Sequence, residues 1–217
     1  MTKLKTPDNV AKTQEKGILF VVSGPSGAGK GTICGLLMQK IDNLSVSISA
    51  TTRAPRQGEV DGVSYFFLER SEFERKIERD EFLEWAKVYN NYYGTPKDFV
   101  EGQLNAGKDV ILEIDVQGAS KIKRCCPDGV YIFIFPPSIK ELKNRIIKRG
   151  SETIESIRER MKYASQELKL ASSYDYIVLN DELEKAVAQL KSIIIAERCR
   201  ANRNLELIRK VERGKLL

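Results

Sequence analysis

The chain has 217 residues, of which 41% are hydrophobic and 30% are charged, so it can bury the core of one domain with small insertions. Its formal charge of +6 favours an anionic partner such as a nucleotide; we expect no nucleic acid partner, and no apolar stretch approaches the roughly 20 residues of a membrane span. The complete absence of histidine excludes serine–histidine and cysteine–histidine catalysis and histidine metal sites. Four cysteines without a C-x-x-C pair are expected to be reduced, buried thiols in a cytoplasmic protein.

A glycine-rich stretch near the N-terminus, GPSGAGKGT, lies between an apolar run at residues 18–22 and an amphipathic run at residues 33–41. The first run is typical of a buried strand and the second of a helix, which is the setting of a phosphate-binding P-loop. Glycines let successive backbone N–H groups point at an anion, and the lysine adds a full positive charge. The motif predicts that nucleotide phosphates bind at Gly24, Pro25, Ser26, Gly27, Ala28, Gly29, Lys30, Gly31 and Thr32.

The usual P-loop has Ser or Thr directly after the lysine to hold Mg²⁺. This chain has Gly31 in that place, and the hydroxyl comes one residue later, so Thr32 is the candidate ligand for the metal.

The segment from residue 45 to 100 breaks the alternation of strands and helices. Short strands are predicted at residues 45–48, 65–68 and 82–89, separated by a turn-rich loop at residues 49–62. A capping-box spacing predicts that Ser71 begins a helix.

The end of this segment is predicted to turn and then to form a helix. Residues 90–96 are interpreted as a turn with two tyrosines, and residues 97–106 as a helix. Alternation in the preceding strand places Glu84 on the face opposite to Leu83 and Trp85.

The second half of the chain again alternates strands and helices. Strands are predicted at residues 110–114, 130–135 and 176–179 and helices at 119–124, 139–149, from 151 or 153 to 172, and 181–204. Ser138 is expected to cap the helix at 139–149, and residues 116–118 to form a turn. Together with the first strand, this order indicates an α/β fold with a parallel sheet and helices on both faces.

The ordered motifs of this sequence resemble those of the guanylate kinase family, from about residue 17 to residue 198. The glycine-rich loop is one of them, and a second, S-x-T-T-R-x-P-R-x-G-E-x-D-G-x-x-Y at residues 49–65, is the most specific. The others are FLEWA at 82–86, YYGTP at 92–96, EIDVQG at 113–118, PPS at 136–138, and arginines at 149 and 160.

This resemblance implies a P-loop kinase with a three-layer α/β/α fold, a parallel core sheet, an inserted GMP-binding subdomain and a helical lid. The core would comprise residues 17–47, 103–140 and 163–198, the subdomain 48–102, and the lid about 141–162. A flexible tail is expected at residues 1–16, and a basic tail without assigned function at 199–217.

The resemblance also implies a site for GMP. Arg53, Arg56, Tyr65 and Tyr93 would hold its phosphate, since an arginine fork can bond phosphate oxygens bidentately. Glu84 would accept hydrogen bonds from guanine N1–H and the exocyclic amine. The remaining residues assigned to this site are Ser49 and Thr95 at the purine edge, Glu59, and the acid pair Glu113 and Asp115 near the metal.

For the donor nucleotide, the resemblance implies that ATP binds the glycine-rich loop with Mg²⁺ and that Asn180 borders the adenine. The residues assigned to catalysis are Lys30, Arg53, Arg145, Arg149 and Arg160. The implied reaction is ATP + GMP = ADP + GDP, a step of purine nucleotide metabolism and GMP recycling. It proceeds by direct in-line transfer and needs no general base, because the attacking phosphate is already ionised.

Other readings stay open at this stage. Taken alone, Glu84 is a solvent-facing strand residue, Asp115 a helix cap, and the arginines a solvated loop and a basic helical face. As a whole, the chain could be a non-catalytic guanylate kinase-like module that binds proteins, or a kinase of another nucleoside monophosphate. The sequence leaves open the choice between GMP and dGMP and the oligomeric state.

Overall fold

The computed structural model describes residues 16–88, 90–148 and 154–214, which are organised around two β-sheets. Residues 1–15 of the tail expected at 1–16, together with Arg149 and the helix start near residues 151–153, lie outside the described residues. In chain order the elements are β1 (Leu19–Ser23), α1 (Lys30–Met38), β2 (Leu44–Val46), β3 (Ala50–Thr51), β4 (Phe66–Phe67), α2 (Arg70–Glu78), β5 (Phe82–Val88), β6 (Asn91–Pro96), α3 (Lys97–Asn105), β7 (Asp109–Glu113), α4 (Val116–Cys125), β8 (Val130–Phe135), α5 (Ile139–Lys148), α6 (Ile154–Lys169), β9 (Tyr176–Leu179), α7 (Leu183–Arg198) and α8 (Leu205–Glu212).

The first sheet has five parallel strands in the order β2-β7-β1-β8-β9. Central strand β1 is buried on both faces: Phe20 and Val22 join a core that includes residues of α1 and α7, whereas Leu19 and Val21 join a core that includes residues of α3 and α4. Helices on both sides explain why the strands are continuous apolar runs. The predicted α/β fold with a parallel sheet is therefore confirmed.

The second sheet is small and mixed, with the order β4-β3-β6-β5. Strands β5 and β6 form an antiparallel pair in which Glu84 lies opposite Thr95, and β3 pairs with the other edge of β6. The interpretation of residues 90–96 as a turn was wrong, because Tyr92, Tyr93 and Thr95 favour strands and find hydrogen-bonding partners on both sides. The reversal instead falls between Val88 and Asn91.

Several helix boundaries also differ from the prediction. Helix α2 begins at Arg70 without a side-chain cap, so Ser71 lies inside it. Helix α4 begins three residues early, because the Asp115 carboxylate accepts a hydrogen bond from the Gly118 amide and caps the first turn. The cap at Ser138 is confirmed, since its hydroxyl accepts from the Glu141 amide at 3.0 Å. Helix α7 ends at Arg198, and α8 follows a short 3₁₀ turn.

The four cysteines are free thiols, but the expectation that all are buried was wrong. Cys34 lies on the buried face of α1, whereas Cys125 and Cys199 are exposed and Cys126 is partly so. In the described part of the chain, no helix has the length and apolar composition that a bilayer crossing requires.

Candidate active site

The glycine-rich loop connects β1 to α1 at the carboxyl end of the core sheet. Gly29 precedes the helix with a φ of 95°, a conformation that favours glycine, and a Cβ on Gly24 would lie 2.5 Å from the Ile134 carbonyl oxygen. The Lys30 ammonium reaches back over the loop and donates to the carbonyl oxygens of Gly24 at 2.6 Å and Pro25 at 3.2 Å. The loop therefore combines a curled backbone, a helix N-terminus and a lysine, which suits polyphosphate binding.

Three polar side chains from outside the loop hold it in place through hydrogen bonds. Asn180, which is buried, donates from its amide nitrogen to the Ala28 carbonyl oxygen at 2.7 Å. Arg145 of α5 donates to the Asn180 carbonyl oxygen at 3.2 Å, and Arg160 of α6 donates to the Ser26 hydroxyl at 2.8 Å. Two of the predicted arginines thus meet the loop, one indirectly and one directly. Asn180 supports the loop itself, and its contact with adenine stays a prediction.

The acid end of β7 lies beside the same loop. A Cβ on Gly31 would be 3.3 Å from both carboxylate oxygens of Glu113, so the absence of a side chain after the lysine leaves this space to the carboxylate. Asp115 has the capping role described above. Thr32 is exposed and does not line the cavity, so its assignment to the metal remains a prediction that the geometry does not favour.

The arginine loop between β3 and β4 lies across the cavity from the glycine-rich loop. The Arg53 guanidinium donates to both carboxylate oxygens of Glu59 at 2.9 Å, and the Arg56 amide donates to Glu59 at 2.7 Å. Burial alone would raise the pKa of Glu59, but these hydrogen bonds lower it, so the pair stays ionised. Arg53 also lies 5.5 Å from the Tyr65 ring, which contacts Tyr93 edge to face. Glu59 therefore orients Arg53.

Glu84 forms the far end of the cavity. Only 7% of it is exposed, and it accepts a hydrogen bond from the Thr95 hydroxyl at 2.8 Å, which contradicts its reading as a solvent-facing residue. Burial raises the pKa of Glu84 to about 7; the Thr95 hydrogen bond opposes the rise, Asp115 adds to it, and Lys121 opposes it. A buried carboxylate with one hydrogen bond from the protein retains acceptor capacity for a ligand.

A cavity of about 550 Å³ joins these groups. The predicted residues on its wall are Gly24, Ser26, Gly27, Gly29, Lys30, Gly31, Ser49, Arg53, Arg56, Tyr65, Glu84, Tyr93, Glu113, Asp115 and Arg160. The other predicted residues that the structure describes do not line the cavity; they are Pro25, Ala28, Thr32, Glu59, Thr95, Arg145 and Asn180.

Sequence reasoning missed four polar side chains of the wall, namely Lys87, Gln117, Tyr163 and Glu167. Tyr163 and Glu167 follow Arg160 by three and seven residues, so helical periodicity from Arg160 would have found them. No comparable signal marks Lys87.

A parallel sheet that carries a lysine-bearing loop at its carboxyl end, with arginines facing that loop, defines the class of P-loop phosphotransferases. Comparisons with known proteins agree: a family model described as guanylate kinase matches residues 16–197. The guanylate kinase of Caldanaerobacter subterraneus subsp. tengcongensis is 58% identical over 198 residues, which cover 91% of this chain and 96% of that relative. The guanylate kinase of Clostridium perfringens is 57% identical over 195 residues, or 90% of each chain.

The solved structures include a similar protein. The crystal structure of guanylate kinase from Anaplasma phagocytophilum matches with a TM-score of 0.77 and 32% identity, over 94% of this chain and 98% of that one. The chain therefore belongs to the guanylate kinase family, which confirms the resemblance seen in its sequence motifs.

Proposed function

We propose that this protein transfers the terminal phosphoryl group of ATP to the phosphate of GMP, giving ADP and GDP. The observation that carries the proposal is the cavity of about 550 Å³, which has the Lys30 loop at one end, the buried Glu84 at the other, and Arg53 and Arg56 on its wall. A donor triphosphate and an acceptor monophosphate would meet head to head in such a space.

The Glu84 end supports guanine as the base. Guanine offers two adjacent donors, N1–H and the exocyclic amine, and a carboxylate can accept from both. Adenine has an acceptor at N1, so it would face the carboxylate with a repulsive lone pair. Because a site built to accept hydrogen bonds rejects analogues that lack the donors, Glu84 would supply most of the selectivity for GMP.

The phosphate ends support direct transfer. The attacking oxygen belongs to a phosphate that is already ionised, so the chain has to position two polyanions in line and neutralise the charge that spreads over the transferring group. Among the described cations in and around the cavity, Lys30, Arg53, Arg145 and Arg160 would neutralise this charge, and each would contribute on the order of 2–4 kcal/mol to the transition state. Arg149, which lies outside the described residues, is proposed to join them.

The chemistry of the loop fits magnesium as a companion of ATP. Among the described residues, no group of three acidic, cysteine or histidine side chains could hold a metal by itself. Mg²⁺ usually takes one or two carboxylates together with substrate phosphates, and the Glu113 carboxylate beside Gly31 suits that role. When bound, Mg²⁺ would neutralise phosphate charge and fix the phosphate geometry. Asp115 would add negative charge to the part of the cavity wall that contains Glu113.

We also propose the division of the chain that the family resemblance implies. The second sheet, within residues 48–102, would carry GMP, and the lid at about 141–162 would bring its arginines over the phosphates. Helix α3 packs on the core sheet through Val100 and Leu104. The boundary between the second sheet and the core is therefore clearest near Pro96, where β6 ends. A cytoplasmic location and a role in purine nucleotide recycling belong to this proposal.

A panel of acceptors tests the function. The purified chain would be assayed with ATP, Mg²⁺ and, separately, GMP, AMP, CMP and UMP, with ADP formation coupled to NADH oxidation. We expect turnover with GMP that exceeds each of the others by about 100-fold or more in kcat/KM. Preference for another monophosphate would contradict the assignment of Glu84, and a folded protein with no turnover would favour the non-catalytic binding module.

A further inference from the structure

We infer that Gly118 is a positioning residue for base selectivity, because the absence of a side chain at this residue leaves the space that the Glu84 carboxylate occupies. A Cβ on Gly118 would lie 2.9 Å from Glu84 Oε2, which is closer than real Cβ contacts come, and 3.2 Å from the carboxyl carbon, which is tight. This inference rests on the proposed function, since it assumes that Glu84 reads the base.

The two oxygens of the Glu84 carboxylate face different elements. Thr95 of β6 donates its hydroxyl to Oε1 at 2.8 Å, and the first turn of α4 closes on Oε2 at Gly118. The carboxylate is the far end of a side chain, but it cannot yield to a new methyl group without losing the Thr95 hydrogen bond or moving into the space of the ligand. A side chain at residue 118 would displace the atoms that are proposed to bind guanine.

The first turn of α4 has a second reason to approach this carboxylate. Its N-terminal end carries partial positive charge, and α4 has no acidic residue of its own in its first turn. Glu84 supplies a negative charge there from a different sheet, while Asp115 caps the same turn through the Gly118 amide. Gly118 therefore joins the capped helix of the core to the base-reading strand of the second sheet.

Gly118 lies inside a helix, where glycine needs a specific reason to be present. Glycine inside a helix is normally less stable than alanine, so its replacement by alanine should stabilise α4 unless a tertiary contact forbids it. Gly102 of α3 offers a matched control, because a Cβ there would meet nothing within 4 Å.

The experiment compares Gly118→Ala with Gly102→Ala in the full chain, using steady-state kinetics with GMP, IMP and ATP. IMP lacks the exocyclic amine of guanine and so reports the second hydrogen bond. For Gly118→Ala we expect KM for GMP to rise about tenfold, kcat and KM for ATP to change less than about twofold, and the preference for GMP over IMP to fall about tenfold. Gly102→Ala should leave all of these unchanged. Unaltered GMP kinetics and base preference in Gly118→Ala would overturn the inference.

A double-mutant cycle asks whether Gly118 acts through Glu84. In a Glu84→Ala background, which removes the carboxylate, Gly118→Ala should have no further effect on KM for GMP. An equal effect in both backgrounds would contradict the inference. If Gly118→Ala alone does not fold, adding Glu84→Asp, which withdraws the carboxylate by one methylene, should restore folding. Continued failure to fold would show that residue 118 is restricted by something other than Glu84.

The cycle also separates this inference from the proposed function. A wild-type chain that does not phosphorylate GMP would refute the function, and coupling between residues 84 and 118 in thermal unfolding would still be measurable without substrate. A wild-type chain that uses GMP, with selectivity that depends on Glu84 but not on Gly118, would refute the inference alone.

Discussion

The two ends of the cavity are built in opposite ways. The phosphate end uses one continuous loop, mostly through backbone groups, and its lysine lies over carbonyl oxygens of that loop. The base end collects Glu84, Thr95 and Gly118 from two strands and a helix, and it centres on a buried acid. Under the proposed function, the first arrangement would attract any polyphosphate, whereas the second would discriminate between bases. Affinity and selectivity are thus assigned to separate structures that can be perturbed separately.

The largest effect is expected at the phosphate end. Lys30→Met should lower kcat about 1,000-fold with every acceptor, because it removes the charge nearest to the transferring group and leaves the base end intact. The coupled ADP assay measures this, and circular dichroism checks the fold. Lys40→Met is the control, since Lys40 pairs with Glu184 at an exposed site and its loss should not change turnover. Activity retained in Lys30→Met would remove the loop from catalysis.

At the base end, Glu84→Gln should lower kcat/KM for GMP about 100-fold while KM for ATP stays within about twofold. The amide has the shape of the acid but presents one donor where the carboxylate presents an acceptor. GMP, AMP and ATP kinetics at pH 8 measure the effect. An equal loss with GMP and AMP would mean that Glu84 holds the cavity together rather than reads the base.

The raised pKa of Glu84, about 7, makes base recognition depend on pH. The ionised form accepts both guanine donors, so kcat/KM for GMP should fall about tenfold per pH unit below pH 7 and level off above it. Burial is the main cause of the raised pKa, and the polar groups that face the carboxylate are Thr95 on β6, Asp115 at the N-cap of α4 and Lys121 on α4.

Glu84→Gln serves as the reference for this profile. The second ionisation of the GMP phosphate, near pH 6, affects both proteins, so their ratio isolates Glu84. A wild-type to variant ratio that stays constant from pH 5.5 to 8.5 would contradict the assignment.

The smallest effect is expected behind the phosphate loop. Asn180→Ala removes the amide that donates to the Ala28 carbonyl oxygen, so the free energy of unfolding should fall by about 1–2 kcal/mol. KM for ATP should rise about fivefold, the equivalent of about 1 kcal/mol, because the loop loses its support. Denaturant titration and ATP kinetics measure the two effects. Asn144→Ala, at an exposed site on α5, is the control, and an unchanged KM for ATP would limit Asn180 to folding.

The same contrast explains which features could be predicted from the sequence. The phosphate loop and the parallel sheet depend on local patterns, and those predictions were confirmed. Strand β6 was mistaken for a turn, because its pairing with β3 and β5 depends on residues distant in sequence. Residues 116–118 were also mistaken for a turn. In the sequence Gly118 is typical of a turn, but in the structure it lies inside α4 next to the Glu84 carboxylate. From the residues alone Glu84 looked exposed, and only the resemblance of its motif suggested otherwise.

The hydrogen bond between Asp115 and the Gly118 amide fixes the number of residues that separate the end of β7 from Gly118, as well as the start of α4. An α-helix rotates by about 100° per residue, so a single residue inserted between Glu113 and Gly118 would swing the glycine away from the second sheet and bring the bulky Gln117 into its place. The short segment from the end of β7 to Gly118 therefore sets the spacing between the two proposed nucleotide sites. Loops elsewhere can lengthen in evolution, whereas this spacing should resist any insertion or deletion.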